Sequence, residues 1–530
     1  MNDKTIQPVL INGEWRPARN SIGSFRAVNP ATGEELPDFY PISCFADVED
    51  ALQAAQCAVP GLIKTPPEIL AGFLDLFAEQ ILAHHDDLVD MAHLETALPK
   101  EPRLRVTELP RTTNQLHQAA AAAKDRSWCR ATIDTKLNIR SKYSPLGGPV
   151  AVFGPNNFPF AFNSSAGGDF AASIAAGNPV IAKAHPSHPG TTRIFAGIAR
   201  DCLKACGLPL AAVQLIYHLQ PEDGLKLVSH PLLGATAFTG SRPAGLRLKE
   251  AADKAGKLIY LEMSSLNPIF ILPGALKERA ERIANELFNS CTMGAGQFCT
   301  KPGLVVLLKD EESKTFLHSV QEYFKQSLPG FLLSKNVLES IISALETMKK
   351  AGAEVVTGGK PIDGPGICFA NTLLRVSGDT FLKKVKELQK EAFGPASLAV
   401  LANDVEQMLE IAISLEGSLT ASIYTHTQGG DDPLYARLEP ILRAKTGRLL
   451  NDKMPTGVAV TPAMVHGGPF PATGHQGFTS VGIPASMLRF AALHCYDNVG
   501  QDRLPPELKD NNPTGKMWRL IDGAWTQRDV

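Results

Sequence analysis

A basic excess, a long apolar run and a cysteine framework are all missing from this 530-residue chain. Lysine and arginine total 52 against 54 aspartates and glutamates, a net charge of −2, so nothing marks nucleic acid or an anionic membrane as partner. No uninterrupted apolar stretch reaches bilayer length, and the opening Met-Asn-Asp-Lys-Thr-Ile-Gln lacks the basic and apolar regions of a secretory signal. The expected location is cytoplasmic. The 9 cysteines are sparse, scattered and odd in number, which argues against a disulfide scaffold, and Cys202 with Cys206 is not a Cys-x-x-Cys redox pair. His84-His85 and the pair His185 and His188 lack further ligands nearby, and no His-Glu-x-x-His occurs, so no metal is expected. The dinucleotide fingerprint Gly-x-Gly-x-x-Gly, internal repeats and low-complexity segments are absent too.

What is present is a globular composition, 44% hydrophobic and 20% charged, in a chain long enough for two or three cores. Residues 7–48 read as short extended pieces. Helices are expected over 47–59, 67–97 and 103–123, then an extended polar excursion over 130–146. From 149 the pattern alternates. Apolar strands at 149–153, 179–184, 212–217, 234–239 and 257–262 are separated by helices at 166–176, 190–206, 221–229 and 243–255. Strands apolar on both faces and joined by helices imply a doubly wound parallel sheet, with its ligand at the carboxyl ends of the strands. A second α/β region follows, with strands near 269–272, 303–308, 399–401 and 421–425 and helices near 275–294, 310–327, 334–351 and 404–415. The tail, 499–530, reads as an extended arm.

Three places could carry chemistry. Gly240-Ser241-Arg-Pro-Ala-Gly245 lies between a strand and its helix, where backbone N–H groups can meet an anion, although a plain tight turn explains it equally. Gly296-Gln-Phe-Cys299-Thr follows a helix in a small-residue stretch that leaves a thiol accessible, whereas most cysteines are inert core residues. Glu262 ends the fifth strand and Asn157 follows the first, both at the ligand edge. A nucleophile, a carboxylate base and an amide donor could therefore converge.

These segments carry a resemblance to the aldehyde dehydrogenase superfamily over nearly the whole chain. Phe153-Gly-Pro-Asn-Asn-Phe-Pro-Phe160 resembles the segment of the catalytic asparagine, and Leu261-Glu-Met-Ser-Ser-Leu-Asn-Pro268 that of the general base. Gly296-Gln-Phe-Cys299-Thr resembles the nucleophile segment, and Glu391-Ala-Phe393-Gly-Pro395 the one that holds the nicotinamide ribose. The resemblance implies that Cys299, with a lowered thiol pKa, attacks the aldehyde. Asn157 and the Cys299 N–H would hold the oxyanion, and Glu262 would activate water on the resulting thioester. It also implies a cofactor contacted by Lys183, Gly240, Ser241, Gly245, Glu391 and Phe393. Pro186 stands where relatives preferring NAD carry a glutamate, so NADP is expected, with NAD also accepted.

Within the superfamily, Glu262-Met-Ser-Ser, Ser290-Cys-Thr-Met-Gly-Ala-Gly-Gln-Phe-Cys299, Met464-Val-His-Gly-Gly-Pro-Phe-Pro471 and the tail Leu520-Ile-Asp-Gly-Ala-Trp-Thr526 resemble α-ketoglutaric semialdehyde (2,5-dioxovalerate) dehydrogenases. Two arginines typical of that subgroup are replaced by His117 and Gly477, leaving Arg111, Ser480 and Asn156 as candidates for a substrate carboxylate, unless Arg111 is a surface cation. Ser264-Ser265 is expected to crowd the nicotinamide region. The resemblance further implies a cofactor domain over 1–128 and 147–262, a catalytic domain over 263–465, an oligomerisation arm over 129–146 and 483–498, a C-terminal extension over 499–530, and a homodimer or homotetramer. The rival readings are a broad-range dehydrogenase of fatty or aromatic aldehydes and a nucleotide-binding protein that has lost catalysis.

Overall fold

The computed structural model describes residues 5–530, which form mixed α/β structure around two seven-stranded, mostly parallel sheets and a smaller five-stranded one. In the first sheet the strands run in the order Leu258–Glu262, Ala235–Thr239, Val150–Phe153, Val180–Lys183, Val213–Ile216, closed by the antiparallel hairpin Val9–Ile11 and Glu14–Arg16. Val150–Phe153 is buried at every position, as a strand covered on both faces must be. Strand order reverses on either side of it. At that switch point the loops leaving Phe153 and Thr239 splay apart and open a crevice at the carboxyl edge.

The second sheet runs Glu354–Thr357, Thr372–Ser377, Ala396–Ala402, Leu304–Leu308, Ile269–Ile271, Ser418–Tyr424, Thr446–Asn451, with only the first strand antiparallel. Strands 354–357, 372–377 and 446–451 and the helix Asp432–Lys445 go beyond the elements expected from periodicity. Arg375, exposed in an otherwise largely buried strand, and Gly447-Arg448 interrupt the apolar runs by which such strands are recognised. The helix expected over 67–97 is two, Pro67–Ala83 and His85–Thr96, broken where His84 turns its ring onto the carbonyl of Gln80. The next one starts only at Leu109, after a wide turn over Lys100–Glu108 that carries Pro102.

The five-stranded sheet runs Ala491–Asp497, Ile139–Pro145, Thr132–Asp134, Arg519–Ile521, Ala524–Thr526. The tail is therefore not a separate extended arm. Its last two strands complete this sheet, and Leu504, Leu508 and Met517 share a small core with Cys129, Ala131 and Ile133. The tail is pinned by Arg519, which is fully buried and donates to the carbonyls of Lys509 (2.5 Å), Asp510 (3.0 Å) and Arg528 (2.9 Å). No helix among the described residues is long and apolar enough to cross a membrane.

Removing that guanidinium leaves three carbonyls without their donor. Arg519→Met is expected to cost roughly 3 kcal/mol locally and to release 499–530 to limited proteolysis. Unchanged protease resistance would show that strand pairing alone holds the tail.

Candidate active site

A cavity of about 1480 Å³ fills the crevice between the two large sheets, lined by Asn156, Asn157, Lys183, Gly240, Ser241, Glu262, Cys299, Glu391 and Phe393 among others. Nearly every residue singled out from sequence therefore meets in one place. Gly245 does not line it. It is buried one turn into the helix Arg242–Lys254, facing Met263 and Phe238, so it serves packing of helix on strand.

Cys299 follows a turn in which Gly294, Ala295 and Gly296 all have positive φ (58°, 53° and 68°). Such a run unwinds the end of the helix Pro273–Thr292 and redirects the chain. A Cβ at Gly296 would lie 2.2 Å from the Gly394 carbonyl, so only glycine allows this approach. Asn267, itself at φ 52°, donates its side-chain amide to the Cys299 carbonyl (2.8 Å) and orients the peptide. The Cys299 N–H finds no acceptor among the described residues. Asn157 gives one N–H to the Gln297 carbonyl (2.9 Å), and an amide has a second to offer. Two donors thus stand beside the thiol.

Glu262 is 1% exposed. One carboxylate oxygen accepts from His466 Nε2 at 2.8 Å and the other from Ser480 Oγ at 2.9 Å. The same His466 Nε2 lies 3.4 Å from Cys299 Sγ, and the donor atoms of all three residues fall within 4.8 Å of one another. His466 and Ser480 arrive because segment 472–474 pairs with the end of the strand carrying Glu262, through Met263 N–H to Ala472 O (2.8 Å) and Gly474 N–H to Leu261 O (3.1 Å). Burial pushes the Glu262 carboxyl up, but the charge and hydrogen bond of His466, with Ser480 and Cys299, bring it below its ordinary range. The thiol behaves oppositely. Burial, then the Glu262 charge, raise the Cys299 thiol well above its ordinary value, with Arg111 pulling the other way. The expected lowered thiol is thus corrected: the protein stores the proton on sulfur until a base takes it. The cluster also brings together metal-type donors, although their mutual hydrogen bonds satisfy carboxylate and imidazole without a cation.

Lys183 is pushed down to about 8 by burial and has no hydrogen-bond or ion-pair partner among the described residues, a donor free to meet sugar hydroxyls. Ser241 precedes a helix whose first residues, Arg242, Pro243 and Ala244, line the cavity, and a helix N-terminus favours an anion such as a pyrophosphate. Burial pushes Glu391 up to about 7, against the Lys301 charge and hydrogen bonds from Ser264 and the Ser265 backbone. Both serines line the cavity, but Ser265 turns its hydroxyl toward Asn267 Oδ1 (2.9 Å). The donor set fits a dinucleotide.

The candidates for binding a substrate carboxylate separate. His117 is exposed and pairs with Asp75 (2.8 Å), and Gly477 is exposed with only His475 near its Cβ direction, so neither position faces the site. Ser480 is taken by Glu262. Arg111 is no surface cation, since its Nε and Nη2 are fully buried and unpartnered. His466 was missed as a chemical residue. Its signal, Val465-His-Gly-Gly-Pro, is legible only as resemblance, because nothing in the chain ties position 466 to 262 or 299.

The chain matches the aldehyde dehydrogenase family over residues 15–430. It is 37% identical to α-ketoglutaric semialdehyde dehydrogenase 2 of Azospirillum brasilense, covering 95% of this chain and 96% of that one. It is 36% identical to α-ketoglutaric semialdehyde dehydrogenase of Acinetobacter baylyi, covering 94% and 97%. Among solved structures, a mutant aldehyde dehydrogenase of Pseudomonas syringae with NAD+ and octanal superposes with a TM-score of 0.80 at 20% identity, over 95% of this chain and 99% of that one.

If the imidazole N–H shares its proton between carboxylate and sulfur, its loss makes the thiol harder to ionise. His466→Gln is expected to slow alkylation of Cys299 by iodoacetamide and to move the acid limb of its pH–rate profile to higher pH. Cys291, whose buried thiol is pushed up to about 12, should stay unmodified in both proteins. An unshifted profile would separate His466 from the thiol chemistry.

Proposed function

The chain belongs to the aldehyde dehydrogenase family, and from that premise we propose that Cys299, Glu262, Asn157 and His466 carry the oxidation of α-ketoglutaric semialdehyde to 2-oxoglutarate. The activity class itself is NAD(P)-dependent oxidation of an aldehyde. The observation that carries the residue roles is one imidazole nitrogen shared between the Glu262 carboxylate and the Cys299 thiol. The substrate reading is supported by the two relatives of that name, aligned over nearly their full length.

Each step follows from a group already in place. Glu262 takes the thiol proton, and sulfur bonds to the aldehyde carbon while His466 N–H stabilises whichever neighbour is negative. The carbonyl oxygen gains charge against the second Asn157 N–H and the free Cys299 N–H, which are fixed before the reaction begins. Lys183, Ser241 and Glu391 would hold NAD(P), which would supply the hydride acceptor that a thioester requires. Glu262, once it has released the thiol proton to solvent, draws a proton from water, and the attacking oxygen displaces sulfur to release the acid. Ser480, by holding the second carboxylate oxygen, keeps the first aimed at the reaction. The reading includes a homodimer or homotetramer, since the edge strands 491–497 and 524–526 leave paired-strand positions open.

NADP preference is part of the same reading. Pro186, flanked by His185 and Ser187, lines the cavity beyond Lys183, and no carboxylate stands at that position to repel a 2′-phosphate. Pro186→Glu is expected to weaken NADP selectively by about 1–3 kcal/mol, read as the ratio of kcat/KM for the two cofactors. A wild-type enzyme that strongly favours NAD would overturn the preference.

Glu262→Gln is expected to slow acylation of Cys299 and to stop its deacylation. Mass spectrometry after prolonged incubation with the semialdehyde and cofactor should find the acyl mass accumulating on the peptide containing Cys299, while steady turnover collapses. Wild-type turnover in that variant would remove Glu262 from the mechanism.

A further inference from the structure

Two cations near the thiol have no role in the chemistry above. Arg111, in the helix Leu109–Asp125, places its guanidinium 5.3 Å from the ring of Phe158 and 5.2 Å from that of Phe162. Those rings frame the catalytic cluster. Phe162 lies 5.9 Å from the ring of His466, and Phe158 lies 5.2 Å from that of Phe298, the neighbour of Cys299. None of Arg111, Phe158 and Phe162 lines the large cofactor cavity, so they stand on the other side of the thiol. Arg448 approaches the same side from the strand Thr446–Asn451. Its Nη atoms donate to the carbonyls of Pro455 (2.6 Å) and Gly457 (3.1 Å), and Nη1 lies 4.0 Å from Met464 Sδ. Met464, Val458 and Val460 pack on Phe158, Phe162, Phe298 and Val481, forming an apolar cluster beside the two guanidinium groups.

What this side of the thiol lacks is a free anion. Neither arginine forms an ion pair among the described residues, and Arg111 Nε and Nη2 and Arg448 Nε are buried without any hydrogen-bond partner. The carboxylates whose charge reaches Arg111 are Glu108 and Glu262. Glu108 is consumed by Arg103 and by the N–H groups of Phe160 (2.8 Å) and Ala161 (3.0 Å), and Glu262 by His466 and Ser480. Arg111 and Arg448 also repel each other, and burial disfavours both charges. Two like charges with idle donors, buried against an apolar cluster, are costly unless an anion from outside completes them.

We propose that Arg111 and Arg448 form a carboxylate-binding subsite that anchors the acid end of a small oxo acid while its aldehyde reaches Cys299. The proposal rests on the oxo-acid reading and supplies its recognition element. Arg111 offers a planar pair of donors that matches a carboxylate or the oxygens of a 2-oxo acid. Arg448, tethered by two carbonyls, adds fixed positive potential. The aromatic rings exclude water, which strengthens the charge-assisted bond and leaves the cations unsatisfied when an alkyl chain takes the place of the acid end.

The test compares Arg111→Met, Arg111→Lys and Arg448→Met with wild type on two aldehydes, the semialdehyde and hexanal, and on inhibition by glutarate, a carboxylate probe without an aldehyde. In Arg111→Met the ratio of kcat/KM for semialdehyde over hexanal is expected to fall roughly tenfold to a hundredfold, mostly through KM, with a smaller fall in Arg111→Lys and Arg448→Met. Glutarate should compete with either aldehyde in wild type and lose affinity in the same order. Equal loss for both aldehydes, or glutarate inhibition indifferent to Arg111, would overturn the subsite and leave these arginines as packing. If wild type favours hexanal while glutarate still competes through Arg111, the subsite stands and the semialdehyde reading falls.

Discussion

A carboxylate buried beside a thiol is tolerated only where both its oxygens are bonded, and meeting that condition shapes much of the chain around Glu262. The strand Leu258–Glu262 delivers the side chain to the carboxyl edge of the first sheet, but offers nothing to bond it. Both partners come from two hundred residues further on, when the chain returns from the second sheet and pairs 472–474 against the strand end. This return carries His466 to one carboxylate oxygen and Ser480 to the other. The His466 main chain is fixed in turn by Thr479 Oγ1 (3.0 Å) and by the N–H of Ser480 (2.9 Å). Loosening this segment would leave a bare charge inside the protein, so its position is as strictly required as that of the strands.

The same arrangement explains why a high thiol pKa is compatible with nucleophilic chemistry. Glu262 is shifted toward its ionised form and Cys299 toward its protonated one, so in the mechanism proposed above the proton rests on the group that gives it up, next to the group that takes it. A thiolate formed there is desolvated and close to an N–H donor, and a desolvated, less acidic thiol is the stronger nucleophile once ionised. A permanently low thiol pKa would expose a reactive sulfur whether or not substrate were present.

The alternation of apolar strands and helices from 149 to 262 was readable because both faces of that sheet are covered, leaving runs such as Val150–Phe153 without polar interruption. Cys299, Glu262 and Asn157 were readable because each sits at a strand end or helix end that periodicity can place. His466 lies in irregular backbone between elements, with no period to locate it. Arg111 was ambiguous for a different reason. A cation on a helix is usually exposed, and only the convergence of Phe158 and Phe162, forty-odd residues away, makes its face an inner one. The positions His117 and Gly477, which the resemblance marked as lost cations, are exposed and do not line the cavity, so those substitutions leave its charge unchanged.

One buried lysine ties the nucleophile to the cofactor side. Lys301, two residues beyond Cys299 and 2% exposed, donates to the carbonyls of Ala392 (3.1 Å) and Ala396 (2.6 Å), bracketing the loop that presents Phe393 and adjoins Glu391. Gly296, on the other side of Cys299, lies close against the Gly394 carbonyl in that same loop. The nucleophile is therefore flanked before and after by contacts to the segment expected to hold the ribose. A shift of that loop cannot occur without moving Gly296 or withdrawing carbonyls from a buried ammonium, which has no other hydrogen-bond acceptor among the described residues. Sulfur and the loop carrying Glu391 are thus tied together by contacts on both sides of Cys299, which fixes the thiol relative to that loop before any ligand arrives.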